Sequence, residues 1–199
     1  MVDRPDDREY ARLQLNEAVR RLNFMRERIS EVEEEEVIAL YSEEKNEIVT
    51  GGDANNVANP EKWTTVLLPR QQKVTDIEGH IQNILIDCQM CVELSVKCMF
   101  KAIGCDFDYS HGINYESGKT QAFYHTIPSD YERRDDIVRA IFLTQLWSIF
   151  YEKAKYGAPE LDTDPSIIFE IEDGERAIND ASFCIHLAQD FLKYVEDNS

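Results

Sequence analysis

Cations are scarce in this chain. Its 199 residues hold 21 Lys and Arg against 39 Asp and Glu, which leaves a net charge of −18. Such a field repels polyanions, so nucleic-acid binding driven by bulk charge is excluded. RNA is expected to bind weakly at most, through a local basic pocket or at very high salt. Long hydrophobic runs are missing as well. None approaches the ~20 apolar residues of a membrane span, so no membrane association is expected. The start, Met1-Val2-Asp3-Arg4-Pro5-Asp6-Asp7, lacks the apolar stretch of a signal peptide, which points to the cytoplasm. Histidine is rare, with four copies, and no His-x-x-x-His or Glu-x-x-His pair occurs. A di-metal bundle site is therefore not supported. Neither a Gly-rich phosphate loop nor a Gly-x-Ser-x-Gly elbow is present.

Hydrophobic residues make up 43% and aromatics 10%, a composition that supports a packed core rather than disorder. The length suits one domain. Acidity has two readings, ordinary solubility or a salt-in halophile; Arg (12) exceeding Lys (9) fits the second.

Four amphipathic stripes organise the chain. Leu15, Ala18, Leu22, Met25, Ile29 and Val32 repeat at spacings of 3 and 4, predicting a helix over 7–35. Glu33 to Glu36 reads as its solvated end. Thr75 and Glu78 form a capping box that opens a second helix, over 75–104, ended by Gly104. Its apolar arc covers about half the circumference, the mark of a central helix. Glu93 and Lys97 lie outside that arc at i, i+4, the spacing of an ordinary surface ion pair. Ser129 and Glu132 suggest another capping box before a third helix, over 130–156. The fourth, over 174–196, carries Ala177, Ala181, Cys184, Ala188, Phe191 and Val195, whose small members predict a close helix–helix approach.

Between these helices, Gly51-Gly52-Asp53-Ala54-Asn55-Asn56, Pro60 and Pro69 mark 44–72 as a long loop. Within it, Trp63 to Leu68 reads as a short strand or an extended apolar segment. Residues 105–128 form an aromatic-rich connector. The expected fold is all-α, an antiparallel bundle of four to five helices in one domain, 1–199. Its parts are an N-terminal helix in 1–43, a loop or insertion over 44–74, and a core over 75–199.

The cysteines raise a sharper question. Five cysteines are an odd number, expected to be reduced thiols in this compartment. Cys88 and Cys91 form a C-x-x-C, but with Cys98 they lie on the apolar arc of one helix. Cys91 and Cys98 are two turns apart, about 10 Å, too far for one zinc with ~2.3 Å bonds. They read as core thiols, and no metal or other cofactor is expected.

Residues 84–113 resemble the HEPN domain family (higher eukaryotes and prokaryotes nucleotide-binding). The likeness rests on the Glu93-x-x-x-Lys97 helix, Gly104, and the turn Ser110-His111-Gly112-Ile113. Glu152 to Gly157 is similar to the family's acidic-Tyr-Gly stretch, and Glu175 to Ala181 to its terminal helix. The resemblance covers roughly 75–199. It implies a helical bundle that dimerises, a nucleotide or a small nucleotidyltransferase as partner in a toxin–antitoxin-like pair, and RNA cleavage in one branch. It singles out Glu93, Lys97, His111, Glu152 and Tyr156 as ligand-binding candidates.

That nuclease branch carries Arg, four to six residues, then His. No Arg–His pair here fits, and Lys119 with His125 has the gap but lacks the guanidinium fork. No residue is therefore assigned as catalytic. The expected function is a non-catalytic HEPN-like binding protein; the alternatives are a metal-independent RNase with a degenerate motif and a purely structural homodimer subunit.

The charge imbalance has a direct consequence. Self-repulsion opposes the compact state at low ionic strength, so the melting temperature should rise as NaCl goes from about 0.05 M to about 2 M. A flat dependence in a thermal melt would remove the halophile reading.

Overall fold

A computed structural model describes residues 7–30, 36–42, 47–50, 64–69, 74–107, 112–114, 116–161 and 168–198. The chain divides into two units, Val32–Ile77 and the remainder, Met1–Glu31 with Glu78–Ser199.

The larger unit is the helical bundle. Its helices are α1 (Asp7–Ser30), α2 (Val74–Ala102), α3 (Gly118–Thr126), α4 (Arg134–Tyr156) and α5 (Ile171–Asp197). A short 3-10 turn, Pro159–Leu161, follows α4. Among the described residues no helix is long and apolar enough to cross a membrane.

The smaller unit holds a three-stranded antiparallel sheet of order β2-β1-β3, from β1 (Glu36–Ser42), β2 (Glu47–Thr50) and β3 (Thr64–Pro69). Ala39 sits opposite both Thr50 and Val66 in the register. Strand β3 falls on the apolar segment at Trp63 to Leu68 read as a short strand or extended chain, β2 stands where a loop was expected, and 43–46, 51–63 and 70–73 lie outside the described residues. The helix expected over 7–35 stops at Ser30, and Glu36 opens β1 instead of closing a helix. The strands are rich in Val, Ile and Thr, but each is short and stabilised by partners distant in sequence. A local periodicity search does not register such pairing.

The small side chains of α5 set the bundle's closest approach. Gly174, Ala177, Ala181, Cys184 and Ala188 follow one another at spacings of 3 and 4, and all are buried. A Cβ placed on Gly174 would lie 3.1 Å from the Cδ1 of both Ile29 and Ile81, so α1, α2 and α5 converge there. The Cys88 thiol donates to the Ala177 carbonyl at 3.3 Å, and the Cys91 thiol to the Ala18 carbonyl at 3.3 Å. Polar contacts fix the directions. Arg12 meets Glu196 at 2.7 Å and Arg26 meets Ser182 at 3.2 Å, so α1 and α5 run antiparallel. Asp7 to Lys101 at 3.1 Å and Arg21 to Asp87 at 2.6 Å do the same for α1 and α2.

An aromatic column fills the other end. Phe100 of α2 stacks on Phe123 of α3, with ring centroids 3.8 Å apart, and Phe123 meets Phe191 of α5 edge-on at 6.4 Å. Helix α3 was hidden inside the connector expected over 105–128. It is only nine residues long, capped by the Ser117 side chain accepting from the Lys119 backbone N–H. The Ser129–Glu132 box does not form, because α4 starts at Arg134 behind a turn at 128–133. A capping box appears instead at Glu170 and Asp173, opening α5. The side chains of Thr75 and Glu78 lie outside the described residues.

The tight seam makes a prediction. Ala181→Leu adds three heavy atoms where none fit, and overpacking of this kind costs about 1–3 kcal/mol. Thermal unfolding should fall by about 2–4 °C per kcal/mol. An unchanged melting temperature would contradict the close approach.

Candidate functional site

Glu93 and Lys97 are brought together, though not on the surface. Glu93 is 5% exposed, and only 12% of the Lys97 side chain reaches solvent. Their ion pair is within the bundle, and the fully buried Gln89 donates to the second Glu93 oxygen at 3.2 Å. The apolar arc of α2 is thus wider than its sequence indicates, and the polar pair belongs to the interior. The Lys97 ammonium also lies 5.0 Å from the centroid of the buried Phe107 ring, which Lys101 approaches at 5.8 Å. Such cation–π contacts strengthen when desolvated. The Gln89 carbonyl oxygen has no hydrogen-bond partner among the described residues.

His111 lies outside the described residues. The residues after it are latched to α4. Gly112 has a φ of +91°, and a Cβ there would stand 3.3 Å from the Thr144 carbonyl oxygen. The Ile113 N–H donates to the buried Thr144 hydroxyl oxygen at 2.9 Å, and that hydroxyl donates to the Ile141 carbonyl at 2.7 Å. Glycine in the Ser110 to Ile113 motif therefore has a packing reason: left-handed backbone and close approach to a helix.

Glu152 and Tyr156 project from the last turns of α4 and are exposed. Lys155 covers the Tyr156 and Tyr151 rings at 5.2 and 5.6 Å. Glu93 and Lys97 lie in the interior on α2, whereas Glu152 and Tyr156 lie on solvent-exposed turns of α4. The candidates thus occupy two places, an interior network and an exposed helix end.

The structure adds a groove that residue patterns did not reveal. A recess of about 420 Å³ opens between α3 and α4, lined by Thr120, Gln121, Tyr124, His125, Val138, Ile141 and Phe142. Phe142 is 54% exposed and Val138 48%. The Tyr124 ring is held by Arg134, whose guanidinium lies 4.4 Å from the ring centroid and donates to the Tyr124 carbonyl at 3.0 Å. Without α3 in the sequence reading, its pairing with α4 could not be drawn. A more polar recess, about 500 Å³, lies where the N-terminus of α1 meets the ends of α2 and α5.

The thiols are chemically quiet. Cys88, Cys91, Cys98 and Cys184 are buried, as their apolar arcs predicted, and Cys105 is half-buried. Burial pushes the Cys91 and Cys98 thiols up to about 12, and Cys88 and Cys184 upward as well. Thiolate, the nucleophile and metal ligand, is correspondingly suppressed. Among the described residues no group of three His, Cys, Asp or Glu side chains could hold a metal ion.

The chain was compared with family models, with curated proteins and with solved structures, and none matches.

The interior pair generates a prediction. Lys97→Met leaves the Glu93 carboxylate without its charge partner inside the bundle, which should cost about 3 kcal/mol. The double variant Glu93→Gln with Lys97→Met should recover most of that loss. Urea unfolding of the two single variants and the double variant checks the coupling, and additive effects would refute it.

Proposed function

We propose that the protein is a non-catalytic, HEPN-like binding protein that recognises a protein partner through the α3–α4 groove. One observation carries this reading: the groove exposes Tyr124, Val138 and Phe142 beside Gln121 and His125, and no Lys or Arg is among its described lining residues. Apolar and aromatic side chains framed by a few polar groups suit a protein surface. Gripping a phosphate calls for a cation or a helix N-terminus, so a nucleotide fits this groove less well.

The same geometry bears on the RNase alternative. Lys119 and His125 have the nuclease spacing, but they serve different sides of α3. The Lys119 ammonium donates to the Phe107 carbonyl at 3.4 Å, while His125 lines the groove. General acid–base chemistry on a phosphodiester calls for the two groups on one substrate. The net charge of −18 adds long-range repulsion of RNA. A small nucleotidyltransferase is the partner class implied by the HEPN resemblance.

The test has two arms. RNA cleavage should stay at background in low and in molar salt. Purification from cells that express the protein naturally should retain a stoichiometric partner on the wild type and lose it on Tyr124→Asp and His125→Asp. Cleavage abolished by His125→Ala, or a partner retained equally by both groove variants, would overturn the reading.

A further inference from the structure

Among the described residues the buried Ser and Thr side chains are Ser95, Thr120 and Thr144. Two of them engage their hydroxyl within their own helix. Ser95 donates to the Cys91 carbonyl and Thr144 to the Ile141 carbonyl, each at 2.7 Å. Thr120 does not. It is 5% exposed, and its hydroxyl makes no hydrogen bond among the described residues. The carbonyl that a helical threonine uses lies four residues back, at Glu116, and it accepts from the Gln121 side chain at 3.4 Å. A buried polar group without a partner lowers stability and calls for a reason.

The place of Thr120 supplies one. It stands in the wall of the α3–α4 recess, with Tyr124, Val138, Ile141 and Phe142 as the apolar lining and Gln121 and His125 exposed beside them. The recess measures about 420 Å³. Small-molecule sites run from about 300 to about 1,000 Å³ and combine apolar, aromatic walls with a few convergent polar groups. Both the size and the composition of this recess fit that description, and the unpartnered hydroxyl is the polar group that its interior offers.

We propose that the recess binds a small, neutral aromatic molecule whose hydroxyl pairs with Thr120. The inference goes beyond the partner reading of the groove and does not rest on it, because binding is measured on this chain alone. Each attribute of the ligand has a source in the lining. It is neutral because no Lys, Arg, Asp or Glu is among the described lining residues, so a charge carried in would be desolvated without a partner. It is aromatic because Tyr124 and Phe142 present rings for offset or edge-on contact. It carries a hydroxyl because the Thr120 oxygen can both donate and accept, and one O–H answers either need. Valine at 120 would keep the shape of the side chain and remove the unpaired group. Threonine is the less stable choice in the free protein, and the ligand is what satisfies it.

Equilibrium dialysis of the full chain tests the site, with 2-naphthol, naphthalene and 2-naphthyl phosphate as probes. The expected result is saturable binding of 2-naphthol at one site per chain. Thr120→Val should weaken 2-naphthol by about threefold to tenfold, the effect of one hydrogen bond, and leave naphthalene unchanged. Val138→Trp, at an exposed position in the lining, should fill the recess and abolish binding of both, with helical circular dichroism unaltered. The phosphate ester should bind at least tenfold more weakly than 2-naphthol. A thermal melt without ligand adds a separate readout: Thr120→Val should leave the melting temperature unchanged or raise it. No binding of 2-naphthol overturns the proposal, as does binding indifferent to Thr120→Val or to Val138→Trp. Equal binding of the phosphate ester overturns the neutral ligand. A melting temperature lowered by several degrees in Thr120→Val shows that the hydroxyl already has a partner, and overturns the role given to it.

Discussion

The close approach of α1, α2 and α5 is the constraint on which the bundle rests. It is possible only because α5 presents Gly174, Ala177, Ala181, Cys184 and Ala188 along one edge. With side chains this small, backbones come near enough for thiols to reach the carbonyls of neighbouring helices, as Cys88 and Cys91 do. A thiol there serves as a small hydrophobe that also satisfies a donor. The cysteine-rich face of α2 follows from the same packing, with no metal chemistry required to explain it.

Once those three helices are set, the remaining elements are positioned by aromatic and polar contacts. Phe100, Phe123 and Phe191 tie α3 to α2 and α5. The Trp147 indole N–H donates to Asp180 at 3.1 Å, and Arg133 pairs with Asp190, so α4 runs antiparallel to α5. The Tyr194 hydroxyl donates to Asp130 at 2.7 Å at the same end. These contacts leave the outer face of α4 turned away from the bundle, and they leave the space between α3 and α4 open.

How much of this the residues announce depends on the range of the interaction that decides each feature. Long helices with wide stripes were legible: α2, α4 and α5 lie within four residues of their expected bounds, because apolar periodicity is a local signal. Helix α3 was not, being nine residues long with little amphipathic contrast. Strand β3 was legible only as a short apolar segment, and β1 and β2 were not legible, because pairs such as Ile38 with Leu67 lie far apart in sequence. The site was half legible. Glu93 and Lys97 were found by spacing, yet spacing alone describes a surface pair, and their burial is a matter of tertiary packing around α2, with Phe107 against Lys97. The groove was invisible for the same reason, since it needs α3.

A buried ion pair in an otherwise apolar bundle calls for a physical account. Removing two charges from water costs about what their attraction returns, so Glu93 and Lys97 add little stability over well-packed apolar residues. Their effect is local. The Gln89 hydrogen bond lies within α2, and the Lys97 ammonium over the Phe107 ring folds the chain just past the helix end back onto α2. The cysteines and alanines that permit close approach fix no register, because small smooth faces slide with little loss of contact. Register between helices is held by contacts such as Arg12 with Glu196, Arg21 with Asp87 and Trp147 with Asp180, while closeness is granted by the small residues.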